Sequence, residues 1–98
     1  MQFHVEWEFI DTAEEAEKRS LQVFSQWAPQ EGAHFQAFYA FADNSGGFAI
    51  IETDSAAILA QTTAPWGPWL RFTIRPIVPV EEATPIVAEA IAFRDSVG

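Results

Sequence analysis

Three short segments of the chain alternate between apolar and polar side chains, a pattern typical of β-strands with one buried face. In the first of them the odd positions are all apolar, whereas His4, Glu6 and Glu8 fill the even positions. A fourth segment is rich in β-branched and aromatic residues, which also favours a strand. The predicted strands cover residues 3–9, 34–41, 48–53 and 70–76.

Apolar residues recur at helical spacing between these strands. From Ala13 to Trp27 they form one stripe, and a short apolar segment at 56–64 ends before Pro65. The last segment, 81–97, predicts a third helix, in which Pro85 is tolerated only in the first turn.

A turn at residues 43–47 joins the second and third strands. Its sequence, Asp-Asn-Ser-Gly-Gly, is rich in residues that tolerate positive φ, so it predicts a hairpin. The resulting order is β-α-β-β-α-β plus a C-terminal helix, and right-handed crossovers fold it into a ferredoxin-like α+β domain. We therefore predict one domain over 1–98, with a four-stranded antiparallel sheet in the order 4-1-3-2 and helices on one face.

The sheet face turned away from the helices is predicted to be partly apolar and partly charged. Phe38, Phe48 and Ile50 should form an exposed apolar patch there, and such patches usually mark an interface. We expect a homodimer that pairs through this open sheet face.

The acidic composition limits the partners. There are 14 Asp and Glu against 5 Lys and Arg, for a formal net charge of -9, which repels phosphate backbones and anionic lipid. We expect no nucleic-acid or membrane partner and no cofactor. The absence of cysteine, of a signal-like N-terminus and of a long apolar run favours a cytoplasmic location.

Four strings in the sequence resemble the domain-of-unknown-function family DUF3303. They are Phe-His-Val-Glu-Trp at 3–7, Gly-Gly-Phe-Ala-Ile-Ile-Glu-Thr-Asp at 46–54, Ala-Pro-Trp at 64–66 and Arg-Pro-Ile-Val at 75–78. The resemblance implies a dimeric α+β barrel, a superfamily that includes cofactor-independent monooxygenases, isomerases and haem enzymes. It carries no catalytic residues over to this chain, because function varies within one fold.

The chain's only two histidines are the first candidates for chemistry. His4 begins the first strand, His34 begins the second, and Glu52 ends the strand predicted to run between them. Because neighbouring strands lie about 4.8 Å apart, the three side chains can meet at one edge of the open face. If this edge carries chemistry, we predict a catalytic, proton-transferring role for these three residues. Ordinary polar contacts in the dimer interface are the favoured alternative, ahead of that role, and a metal site is the least favoured.

Five further residues are candidates for ligand binding: four place charged or amide groups on that face, and one, in a turn, offers an indole that can cover a pocket. They are Glu6, Gln36, Arg71, Arg75 and Trp66. The alternatives are cross-strand charge pairs that fix the register and, for Trp66, packing under a turn.

Two function classes remain open. The first is a small dimeric barrel protein that binds or transforms a small molecule in a sheet-lined pocket. The second is a non-catalytic dimeric module whose open face only specifies pairing. A cavity of about 300 Å³ or more between sheet and helices favours the first, and a filled interior favours the second.

Overall fold

The computed structural model describes residues 1–98 as one antiparallel sheet with three α-helices. The strands are β1 (Gln2–Phe9), β2 (His34–Ala40), β3 (Gly46–Glu52) and β4 (Leu70–Ile77). The helices are α1 (Glu14–Gln26), α2 (Ala56–Thr63) and α3 (Val80–Val97), and a 3₁₀ turn at Ala64–Trp66 follows α2.

The sheet has the strand order β2-β3-β1-β4, which is the predicted order 4-1-3-2 counted from the other edge. Every pairing is antiparallel. The α+β class and the sheet order are therefore confirmed. Ferredoxin-like topology is consistent with this arrangement because each helix-containing crossover skips one strand.

The core lies on the side of the sheet that faces α1 and α2. Val5, Ala49 and Ile51 from the two central strands pack with Leu59 of α2, and Ile51 is only 1% exposed. The alternation in β1 explains this placement, because it turns every odd-numbered side chain toward the helices.

A β-bulge in β2 changes which side chains reach each face. Phe35 pairs with Ile51, but the next pair joins Ala37 to Ile50, so that Gln36 is an extra residue. Beyond the bulge Phe38 lies opposite Ala49 and points to the helix side. The prediction that Phe38 lies on the open face is therefore wrong, because strict alternation does not continue through an inserted residue.

Gly46 and Gly47 belong to β3 and not to the hairpin turn, which corrects the sequence interpretation. A Cβ atom on Gly46 would overlap the backbone carbonyl of Trp7, and one on Gly47 would overlap the Trp7 ring and the carbonyl of Tyr39. Glycine is required here because β1 and β2 approach β3 so closely.

In the hairpin turn, Asn44 is the residue with positive φ, at 64°. Asp43 precedes it and accepts hydrogen bonds from the Ser45 hydroxyl at 2.7 Å and the Ser45 backbone N–H at 3.0 Å. These bonds favour the charged carboxylate and lower the pKa of Asp43 below its ordinary value. The turn is thus held by side-chain oxygens, as in an Asx turn.

The third helix extends from the body of the molecule. It has no buried residue, and the chain measures 60 × 29 × 20 Å along its principal axes. Pro85 is the sixth residue of α3 and lies beyond the first turn, which corrects the prediction for this position. None of the three helices combines the length and apolarity needed to cross a lipid bilayer.

Candidate functional site

A large cavity lies between α1 and the sheet. Its volume is about 770 Å³, and 15 of the 21 residues that line it are hydrophobic. The cavity exists because α1 presents large aromatic side chains to β2, which hold the helix away from the strands. Phe24 and Trp27 come from α1, and Phe35 and Phe38 come from β2.

Trp27 makes two edge-on contacts in the aromatic wall of the cavity. Trp27 meets Trp66 at a ring-centroid distance of 5.1 Å and an angle of 68°, and Phe35 at 5.8 Å and 77°. Such edge-to-face pairs are a favoured aromatic geometry. Trp66 is also fixed by a hydrogen bond, because its Nε1–H donates to the carbonyl oxygen of Ser20 at 3.4 Å.

The cavity holds few polar groups and only one carboxylate, that of Glu17. The hydroxyls of Thr62 and Thr63 donate to carbonyls of α2 at 2.7 and 3.1 Å, so their donors are already occupied. The other polar residues whose side chains lie on the cavity side are Ser20 and Asn44. No lysine, arginine or histidine reaches the cavity. The arrangement suits binding of an apolar molecule better than acid-base chemistry.

The three predicted catalytic residues lie on the opposite face of the sheet from the cavity. His34 is the direct register partner of Glu52, whereas His4 lies one row away, opposite Ile50 and Arg75. The Glu52 carboxylate accepts a hydrogen bond from the amino group of Met1. The structure therefore brings His34 and Glu52 together and sets His4 apart.

The charged candidates of the open face lie on the same side as these histidines. Arg71 lies opposite Glu8, and Arg75 lies opposite His4, but neither arginine forms an ion pair. Glu6 lies opposite Thr73. No group of three or more His, Asp and Glu side chains is placed to hold a metal ion.

The two remaining candidates for ligand binding lie in different places. Gln36, the extra residue of the bulge, accepts a hydrogen bond from Gln2 at 2.6 Å. Trp66 lines the cavity on the helix side. Of all the candidate residues, Trp66 is thus the one that reaches the cavity.

Aromatic rings cluster around Phe48 on the open face. His4 stacks on it with the ring centroids 5.4 Å apart, Tyr39 stacks at 5.7 Å, and Phe41 lies at 6.2 Å. We call these four residues the open-face cluster. The open-face cluster takes the place of the predicted apolar patch. Phe38 was predicted to lie on this face, but because of the bulge Tyr39 and Phe41 lie there instead.

Sequence reasoning missed most of the cavity wall. Phe24 and Trp27 were visible as part of the apolar stripe of α1, three residues apart. Two such large rings on one helix are candidates for the wall of a ring-lined space between that helix and its sheet. That signal, read together with Phe35, would have pointed to a space lined by rings.

A family model of known proteins matches most of the chain. The family model described as Domain of unknown function (DUF3303) covers residues 1–91 of the chain. This range includes all four strands, α1, α2 and the first part of α3. Among curated proteins, none matches the chain.

Proposed function

Because this chain belongs to the DUF3303 family of domains of unknown function, we propose its function from its geometry: it binds a small, largely apolar molecule in the cavity between α1 and the sheet. The volume of about 770 Å³ carries this proposal, since ligand pockets usually measure roughly 300–1,000 Å³. A filled interior would have favoured the non-catalytic dimeric module.

The lining of the cavity defines the class of ligand. Aromatic walls favour a flat, ring-containing molecule, which can stack on or abut the edges of Trp27 and Trp66. An anionic ligand is disfavoured because Glu17 is the only charged group and no cation offsets it. We propose a neutral molecule with one or two polar atoms, for which Ser20 and Asn44 are the available hydrogen-bonding side chains.

Filling the cavity should abolish binding. Ser20 is 8% exposed and lines the cavity, so Ser20→Phe places a ring in the space that the ligand needs. We expect the affinity for Nile red, a neutral apolar probe, to fall at least about tenfold, which corresponds to roughly 1.4 kcal/mol. Probe fluorescence and quenching of the tryptophans measure the effect.

The matched control is Ser25→Phe, which adds the same ring on the exposed side of α1. Its affinity for the probe should equal that of the unmodified protein, and circular dichroism should show both variants folded. Equal binding by the folded Ser20→Phe variant would show that the probe binds elsewhere and would remove the support for a cavity ligand.

We also propose that two copies pair through their open sheet faces, as in the dimeric α+β barrel that the resemblance implies. The open-face cluster supports this proposal, because it leaves stacked rings in contact with water and Tyr39 63% exposed. Arg71 and Arg75 have no ion-pair partner within the chain and are available to carboxylates of a second copy.

Placing a charge at the centre of the open-face cluster should disrupt this dimer. Phe48→Asp removes the ring on which His4, Tyr39 and Phe41 converge and buries a carboxylate in the interface. Sedimentation velocity should then show a monomer, whereas Ala60→Asp, on the exposed side of α2, should leave the dimer unchanged. A folded Phe48→Asp dimer would contradict the proposed interface.

A proton-transfer role for His34 and Glu52 stays a prediction, supported by their direct pairing across β2 and β3. The sheet separates them from the cavity, so we expect His34→Ala and Glu52→Gln to leave Nile red binding unchanged. If they act on a ligand of their own, retained from the native host, calorimetry should show weaker binding in both variants. His4→Ala is the control variant, because His4 lies one row of the sheet away from the His34–Glu52 pair.

A further inference from the structure

The helix α3 has one side that is apolar except for Arg94 and buries no residue against the rest of the chain. At 100° per residue, this side spans about 160° of the helix and consists of Val80, Ala83, Ile86, Val87, Ala90, Ile91, Phe93 and Val97. We call these residues the α3 apolar face. Phe93 is 69% exposed and Ile86 is 63% exposed. A helix of a stable globular domain normally buries such a face.

The exposed surface of the chain is too large for a compact monomer. It amounts to 7069 Å², whereas a folded monomer of 10.9 kDa exposes roughly 5,600 Å². The radius of gyration is 17.7 Å, against roughly 13 Å for a compact domain of this length. The excess of about 1,500 Å² exceeds the roughly 800 Å² that each partner buries in a standard interface.

We infer that the α3 apolar face packs against a second copy of this chain. The charges of α3 favour this partner over a membrane. All four carboxylates of α3 lie outside the apolar face, and Arg94 is the one charged residue within it. A copy with a net charge of -9 supplies carboxylates for Arg94, whereas a helix with four carboxylates is repelled by anionic lipid.

The start of α3 lies next to open-face residues, because Glu82 of α3 lines a shallow cleft together with Gln2 and Glu52. β4 ends at Ile77, which pairs with Gln2 at the sheet edge, and α3 begins three residues later at Val80. A second copy seated on the open face would therefore lie close to α3. The inference about α3 does not require the two copies to pair through their open faces. The excess exposed surface is a property of one chain, and it is the same whichever surfaces of the two copies meet.

A photo-crosslinker on α3 tests the inference directly. Because the chain has no cysteine, Ile91→Cys provides one site for benzophenone maleimide within the α3 apolar face. Glu89→Cys provides the matched site on the polar side, two residues away. We expect illumination to produce a covalent dimer from position 91 and little from position 89, with the attachment point mapped by peptide mass spectrometry.

A substitution in the α3 apolar face tests how much that face contributes to the free energy of self-association. Ile91→Asp should weaken self-association at least about tenfold, and Glu89→Asp should not change it, as measured by sedimentation equilibrium. A covalent product of monomer mass would show that α3 folds back on its own body and would overturn the inference. An unchanged dimer in Ile91→Asp, or a monomer that floats with phosphatidylcholine–phosphatidylglycerol vesicles, would also overturn it.

The experiments can disprove the pairing of the open faces and the inference about α3 independently of each other. If Phe48→Asp dissociates the dimer and Ile91→Asp does not, the open faces meet and α3 plays no part. If only Ile91→Asp dissociates it, α3 provides the contact and the open faces stay apart. Nile red binding by each variant reports on the cavity independently of both.

Discussion

Gly46→Ala should destabilise the protein by about 3 kcal/mol or more, because the added methyl group would overlap the Trp7 carbonyl. The overlap is with backbone, so no side-chain rotation relieves it, and β1 must move away from β3. A domain of this size is stable by only roughly 5–15 kcal/mol. Urea unfolding followed by tryptophan fluorescence should show the midpoint at a much lower concentration.

The control for this prediction is Gly67→Ala. Gly67 has helical backbone angles, and a Cβ there meets nothing closer than the Ala64 carbonyl oxygen at 3.4 Å. Since alanine also restricts the unfolded chain, this variant should be neutral or slightly more stable. If Gly46→Ala unfolded at the same urea concentration as Gly67→Ala, the close approach of β1 to β3 would be wrong.

Ile51→Ala should cost about 3 kcal/mol, in the middle of the range for removing a buried isoleucine side chain. Ile51 is 1% exposed and packs at the centre of the core with Val5, Ala49 and Leu59. Ile51 also lines the cavity between α1 and the sheet. Because open space already separates the side chains there, they cannot easily move in to fill the additional volume. Urea or thermal unfolding measures the loss.

For comparison, Ile10→Ala removes the same atoms from a residue that is 50% exposed, and it should cost less than about 1 kcal/mol. Equal losses from the two substitutions would show that the core does not centre on Ile51. A second readout is Nile red: Ile51→Ala enlarges the cavity, so the folded fraction should still bind the probe.

The strands and helices were predictable because their periodicity is local. In β1, odd positions from Phe3 to Phe9 are apolar, and this alone turns them toward the helices. The sheet order followed from the order of elements and the handedness of crossovers. The roles of Gly46 and Gly47 were not predictable, because a glycine string looks the same whether it makes a turn or admits a neighbouring strand.

The candidate site was less predictable because it depends on packing between elements. The pairing of His34 with Glu52 was one of the registers that the sequence allowed, and the structure places these two residues together. The cavity arises from the space left between α1 and the sheet, which no single segment determines. Most predicted site residues therefore lie on one face and the cavity lies on the other.

The bulge at Gln36 also determines how this protein can change over time. Loss of that one residue would leave Phe35 opposite Ile51, Ala37 opposite Ile50 and Phe38 opposite Ala49, so the other side chains of β2 would keep their faces. A single codon deletion at this position would thus preserve both the cavity wall and the open-face cluster and remove only the hydrogen bond that Gln36 accepts from Gln2. β1 and β3 pair without an extra residue, so a deletion within either strand would turn side chains to the opposite face. We therefore expect the length of β2 to vary more readily than the lengths of β1 and β3.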